Sequence, residues 1–186
     1  MLPLGDYWDK YAQEYKTHYN EELAKFMRDL AVSLRVQSVL EVGCSAGNDL
    51  RLFPDHMTVS GIDTSKNAVS KAQETLPQFR FEAGSAVSIP HKDSSFDFVF
   101  TRNVLNYVND SDVRDATGEM FRVSRKYILN IEMFAEDDGQ LEGHIPTTGR
   151  NMRKHWSDFA VKIISNVDMH EEIDPKRSRF TLIRKI

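Results

Sequence analysis

The stretch Val39–Phe53, VLEVGCSAGNDLRLF, constrains the fold more than any other part of this 186-residue chain. It opens as an apolar run fit for a buried parallel strand and passes through two glycines, Gly43 and Gly47, separated by three small residues. It then resumes with helical spacing. A strand that turns directly into a helix on glycines is the connection of a parallel α/β sheet. Further apolar runs follow at Met57–Ile62, Gln78–Glu82, Phe96–Thr101 and Tyr127–Phe134, each separated by helix-like or turn-rich sequence. Val161–Asp168 and Ser178–Ile186 read as two final strands, an antiparallel pair at the far edge. The pattern predicts a doubly wound, seven-stranded, mostly parallel sheet.

The intervening helices have readable ends. Asp63-Thr64-Ser65 offers caps before a helix over Asn67–Leu76, which Pro77 stops, and Ser111 or Asp112 starts one running to about Val123. Upstream, Tyr7, Tyr11, Tyr15 and Tyr19 recur at four-residue intervals, which predicts a helical arm over 7–34 with all four rings on one face. Glu136–Arg150, polar and containing three glycines, reads as a long loop. The length fits one domain over 1–186: an arm (1–34), a core (35–134), and a last segment (135–186) of loop and strands. With 28% charged residues and a net charge of −4, the chain has no overall attraction for phosphate backbones, so DNA is not expected as a partner. Cys44 is the single cysteine, which excludes an internal disulfide and a thiolate metal cluster and suits a reducing cytosol. No apolar run approaches the roughly 20 residues needed to span a bilayer, and the first residues lack a signal-peptide pattern. A cytoplasmic protein without bound metal is expected.

Spacing decides what the glycine turn cradles. Counted from Gly43, a dinucleotide fingerprint places its second and third glycines where Ser45 and Asn48 stand, so a pyrophosphate is poorly served. This disfavours a nicotinamide-dependent oxidoreductase. The alternative pattern, acid-x-Gly-x-Gly-x-Gly, is met by Glu41, Gly43 and Gly47, with Ser45 in place of the middle glycine. In this the chain resembles the class I S-adenosylmethionine-dependent methyltransferases, whose sheet is Rossmann-like. The resemblance implies that Glu41 lies near the amino-acid end of S-adenosylmethionine and that Asp63, ending TVSGID, receives the ribose hydroxyls. FEAGSAVSIP resembles the stretch that wraps the adenine, with Ser85 where the family has an acid. SFDFVFTRNVLNYV resembles the fourth motif, whose Thr101, Arg102 and Asn103 border cofactor and acceptor. WDKYAQEY, Trp8–Tyr15, resembles an N-terminal helix that folds over the cofactor. The implied cofactor contacts are Tyr11, Glu41, Gly43, Cys44, Gly47, Asp63, Thr64, Ser85, Ala86, Thr101 and Asn103.

Methyl transfer from a sulfonium is an in-line displacement, so positioning matters most and a base is needed only where the acceptor must lose a proton. After the fourth strand there is neither Asn/Asp-Pro-Pro-Tyr/Phe nor Pro-Cys, which points away from DNA methylation. GHIPTTGRNMRKHWSDF brings His144, Arg150, Arg153, Lys154, His155 and Trp156 together after the cofactor core. His144 and His155 are the candidate bases. Arg102, Arg150 and Arg153 are the candidate substrate ligands, on the view that the small-molecule acceptor is anionic. The segment faintly resembles methylases of sugar biosynthesis, including those associated with pseudaminic acid, so the acceptor is expected to be small, polar and sugar-derived. The alternative is a degenerate module that binds S-adenosylmethionine or S-adenosylhomocysteine without turnover, motivated by Ser45 and Ser85.

Overall fold

The structure, a computed structural model, describes residues 4–143 and 145–186. Helices α1 (Leu4–Gln13) and α2 (Glu21–Ser33) precede strand β1 (Ser38–Val42). A single 3-10 turn at Asn48–Leu50 leads to β2 (Thr58–Asp63), α3 (Lys66–Thr75), β3 (Arg80–Ala83) and β4 (Phe96–Arg102). A second 3-10 turn at Leu105–Tyr107 leads to α4 (Val113–Val123) and β5 (Ser124–Glu132). A small hairpin, β6 (Gly139–Leu141) and β7 (Thr147–Gly149), is followed by a one-turn helix α5 (Met152–His155), β8 (Val161–Asp168) and β9 (Arg179–Lys185).

The main sheet has seven strands in the order β3-β2-β1-β4-β5-β9-β8. β1 to β5 are mutually parallel; β9 inserts antiparallel beside β5, and β8 closes the edge antiparallel to β9. The strand order reverses between β1 and β4. The crevice outside their carboxyl ends is therefore the place where such a sheet binds ligands. One face carries Leu23, Met27 and Ala31 of α2 with Val69 and Ala72 of α3 over Phe98 and Phe100. The other carries Ala116, Met120 and Val123 of α4 with Met152 and Trp156 over Leu40, Val99 and Ile128. Both faces being covered explains why the central strands read as continuous apolar runs rather than alternating ones.

Three expectations are corrected. The arm is two helices, not one. Asn20 accepts a hydrogen bond from Leu23 N at 3.0 Å as the N-cap of α2, and Tyr15 and Tyr19 lie in the turn between the helices, so the tyrosine stripe does not form one face. The segment after the glycine turn is a 3-10 turn rather than a regular helix. The loop 136–150 contains the β6–β7 hairpin, with Gly139 facing Gly149. By contrast α3 and α4 start where their caps place them; Ser65 Oγ accepts from Ala68 N at 3.0 Å.

Candidate functional site

The turn after β1 is built from three consecutive left-handed positions at alternate residues: Gly43 (φ 77°), Ser45 (φ 47°) and Gly47 (φ 76°). Ser45 thus holds the backbone conformation that the motif assigns to glycine, and its amide donates to Asp63 Oδ2 at 2.8 Å. The other oxygen of Asp63 accepts from Ser65 N at 2.9 Å. Burial raises the pKa of Asp63, opposed by these amides. The two glycines are also required by packing. A Cβ on Gly43 would lie 2.3 Å from Val104 Cγ2, and one on Gly47 would lie 2.9 Å from Leu76 Cδ1.

Beneath the turn lies a buried ion cluster. The Arg102 guanidinium bonds to Asp49, with the Tyr11 hydroxyl beside it. Glu41 is 3% exposed, and its pKa is raised well above the usual carboxylate range by burial and by the neighbouring Asp49. Among the described residues Glu41 Oε2 has no hydrogen-bond partner, nor does the buried Asn103 Oδ1 in the turn after β4. Asn103 is itself left-handed (φ 51°), and its amide donates to Ile131 O at 2.8 Å.

A second acid closes the far side. Glu132, the last residue of β5, is fully buried, and its Oε2 accepts from Val104 N at 3.0 Å and Asn106 N at 3.4 Å. Burial pushes its pKa up to about 7, against the lowering effect of the Thr101 hydroxyl and the amides of the turn. Its Oε1 is unpartnered among the described residues. Over this region α1 lays its aromatic rings: Trp8 meets Tyr107 edge to face at 4.8 Å, Tyr7 stacks on Tyr11, and Tyr11 stacks on His18 at 3.8 Å. Asp9 of α1 fixes the helix to α3, accepting from Ser65 Oγ and from Asn67 Nδ2 at 2.8 Å.

The structure brings together Tyr11, Glu41, Gly43, Gly47, Asp63, Arg102 and Asn103 from the expected set. The other candidates have these surroundings. The Cys44 side chain packs inward, where a Cβ on Gly61 would lie 2.7 Å from its Sγ; Ala86 is in the core; Thr64 is exposed at the end of β2. Ser85 caps its own turn, accepting from Val87 N at 3.3 Å. Thr101 is fully buried, and its hydroxyl accepts from Asn130 Nδ2, whose Oδ1 in turn receives the Trp156 indole N–H at 2.7 Å.

The basic candidates lie apart from one another. Arg150 is 1% exposed and donates to Leu105 O, Val108 O, Asp110 and Asp138, so it ties the turn after β4 to the hairpin. Arg102 is held by Asp49. Arg153 is exposed on α5. His155 Nε2 lies 2.6 Å from Asp138 Oδ2 and lines an open groove of about 310 Å³ with Arg114, Thr117 and Phe159, a groove to which no strand-end residue contributes. His144 lies outside the described residues. Asp97 sits at the opposite end of β4, where burial is outweighed by Gln37 N–H, Arg125 and Lys126 and its pKa falls to about 2; it is a structural anchor. Sequence reasoning missed Glu132 and Asp49, although Glu132, an acid ending an apolar strand, gives the same signal as Glu41.

Residues 39–127 match the family described as Methyltransferase domain. An uncharacterized methyltransferase, YcgJ of Bacillus subtilis, is 33% identical over 112 residues, 56% of this chain and 44% of that protein. Phosphatidylethanolamine N-methyltransferase of Cereibacter sphaeroides is 28% identical over 144 residues, 72% of this chain and 70% of that protein. Among solved structures, S-adenosylmethionine-bound CalS10, an amino pentose methyltransferase from Micromonospora echinaspora, aligns with a TM-score of 0.72 at 15% identity, covering 95% of this chain and 96% of its own. Among the described residues no helix is long and apolar enough to cross a membrane.

Proposed function

We propose that this chain, which matches the family described as Methyltransferase domain over residues 39–127, is a class I methyltransferase that binds S-adenosylmethionine and methylates a small polar acceptor. One observation carries the reading: buried oxygens without donors, Glu41 Oε2 and Asn103 Oδ1, border the crevice between β1 and β4, next to a turn with the left-handed backbone of the motif. An unsatisfied buried acceptor costs about 1–3 kcal/mol, and the α-ammonium of the methyl donor is a group of the right chemistry to relieve it. The residues therefore fit that molecule.

When bound, S-adenosylmethionine supplies an electrophilic methyl group. The protein's part is positional. The Asp63 oxygens accept the amides of Ser45 and Ser65, with that of Thr64 nearby, and would keep lone pairs for the ribose hydroxyls. Glu41 and Asn103 hold the ammonium end, with Arg102 fixed by Asp49 behind them. The rings of Trp8, Tyr11 and Tyr107 exclude water from the reacting atoms. A sugar-derived acceptor is the narrower form of the reading, in keeping with the fold shared with CalS10.

Isothermal titration with S-adenosylmethionine and S-adenosylhomocysteine tests the proposal, with micromolar binding of both expected. A folded sample that binds neither refutes it. A binding module without turnover is the second reading, favoured because Arg102 and Arg150 are both held by acids and withheld from an acceptor. Methyl transfer to any member of a panel of amine, hydroxyl and carboxylate acceptors eliminates that reading.

A further inference from the structure

The methyl-acceptor side of the crevice differs in character from the side assigned to the donor. It is walled by the rings of Tyr7, Trp8, Tyr11 and Tyr107 and floored by Glu132, an acid fully buried with one oxygen clamped by the amides of Val104 and Asn106 and the other, among the described residues, without a donor in hydrogen-bond geometry, though the Thr101 hydroxyl acts on the carboxyl. Two of the three arginines expected to receive an anion are already paired: Arg102 with Asp49, and Arg150 with Asp110, Asp138 and two carbonyls; the third, Arg153, is exposed on α5. A buried carboxylate and aromatic faces, with the arginine beside Tyr11 already paired to Asp49, make a poor site for a carboxylate or phosphate at the reacting centre. They make a good one for a cation or an N–H donor, because ring faces attract ammonium groups and a buried carboxylate lacks only the donor that such a group brings.

Resting on the function proposed above, we propose that the acceptor is a primary or secondary amine whose nitrogen meets Glu132 Oε1 beneath the α1 rings, and that Glu132 takes its proton. The amine enters as the ammonium and gives one N–H proton to Oε1. Its freed lone pair forms the N–CH3 bond as the S–CH3 bond breaks, and that bond's electron pair stays with the departing neutral sulfur. Glu132 then returns its proton to solvent when product leaves. Burial holds the carboxyl near neutrality, where it can both accept and release a proton. The groups that act on it are the Thr101 hydroxyl from β4, the amides of Val104, Leu105 and Asn106, and the Tyr107 hydroxyl, with Tyr7 and Tyr11 of α1 next to Tyr107.

The test uses the full chain and paired probes differing in one group: phosphoethanolamine against 2-hydroxyethyl phosphate, and glucosamine against glucose, with trans-aconitate as a carboxylate. Methylated product is read by mass spectrometry. S-adenosylmethionine binding is measured first, so that its failure counts against the function proposed above. With the donor bound, at least a hundredfold preference for an amine over its hydroxyl partner is expected. Glu132→Gln is expected to keep donor affinity within about twofold, lose at least a hundredfold in kcat, and lose the rise of kcat with pH through neutrality. Glu132→Asp recovers part of the rate and the pH dependence if a carboxylate is needed, and none if Glu132 only packs. Preferred transfer to hydroxyl or carboxylate, transfer to none of the amines, or a Glu132→Gln enzyme with unchanged kcat and pH profile overturns the proposal.

Discussion

Replacing Glu132 by Gln separates the strain of a buried acid from its usefulness. The folded pKa is about 7 against an ordinary 4.5, so between those values the folded chain holds a proton that the unfolded chain has released. Stability is then full below about pH 4.5 and is lost as the pH rises through 7. At 1.36 kcal/mol per unit, the 2.5-unit difference removes about 3 kcal/mol by pH 8.5. Glutamine is isosteric with the protonated acid and its carbonyl still accepts from Val104 N and Asn106 N. The variant should therefore match the wild type at pH 4.5 and exceed it by about 3 kcal/mol at pH 8.5. Urea denaturation of both proteins at several pH values measures this, and taking the difference between them cancels Glu41, which shifts in the same direction. A difference that stays flat with pH refutes the reasoning.

Three other substitutions test the crevice walls. Gly43→Ala combines a left-handed φ with a Cβ 2.3 Å from Val104 Cγ2 and should cost about 3 kcal/mol in urea midpoint, part of it recovered by adding Val104→Ala. Ser45→Gly should stabilise by about 0.5–1 kcal/mol, since relief of the left-handed conformation exceeds the added unfolded-state entropy, and should leave donor affinity unchanged by titration; a loss of stability would mean that the side chain matters. Arg150→Ala leaves two carbonyls and two acids without their donor and should cost about 3–5 kcal/mol by thermal or urea melting, with Arg150→Lys restoring little; a raised KM with unchanged stability would return Arg150 to the substrate.

The central fold was legible because its signals are local. β1, β2, β4 and the second half of β5 are buried on both faces, so their apolar residues cluster instead of alternating with exposed polar ones, and Ser65 marks a helix start through its own side chain. The arm misled because four-residue tyrosine spacing describes a helix only where the backbone continues. Asn20 followed by Glu21 and Glu22 is a helix-start signal that breaks the stripe, and Asn20 is further fixed by its amide donating to Ile173 O, 153 residues away. The basic segment misled for a non-local reason. Arg150 resembles a solvent or ligand arginine in sequence, yet its acceptors come from the turn after β4, from Asp110 and from Asp138. Ser45 departs from the motif in sequence, whereas its backbone holds the required conformation without a glycine.

The acids of the crevice share a geometric logic. The turns after β1 and β4, the two strands at which the order reverses, form its walls, and each is fastened by a carboxylate from the next strand outward: Asp63 of β2 takes the amide of Ser45, and Glu132 of β5 takes those of Val104 and Asn106. Each turn contains a non-glycine left-handed residue, Ser45 (φ 47°) and Asn103 (φ 51°), a conformation costing about 1–2 kcal/mol that persists only where surrounding contacts over-determine it. The carboxylates supply those contacts. A carboxyl oxygen that accepts these amides satisfies buried backbone donors that would otherwise go unpaired, which offsets the strain. The acids therefore hold both walls apart at fixed positions while Glu41 and Asn103 present free oxygens between them. A crevice built this way is pre-organised before any ligand arrives, and its chemistry is set by the oxygens left over.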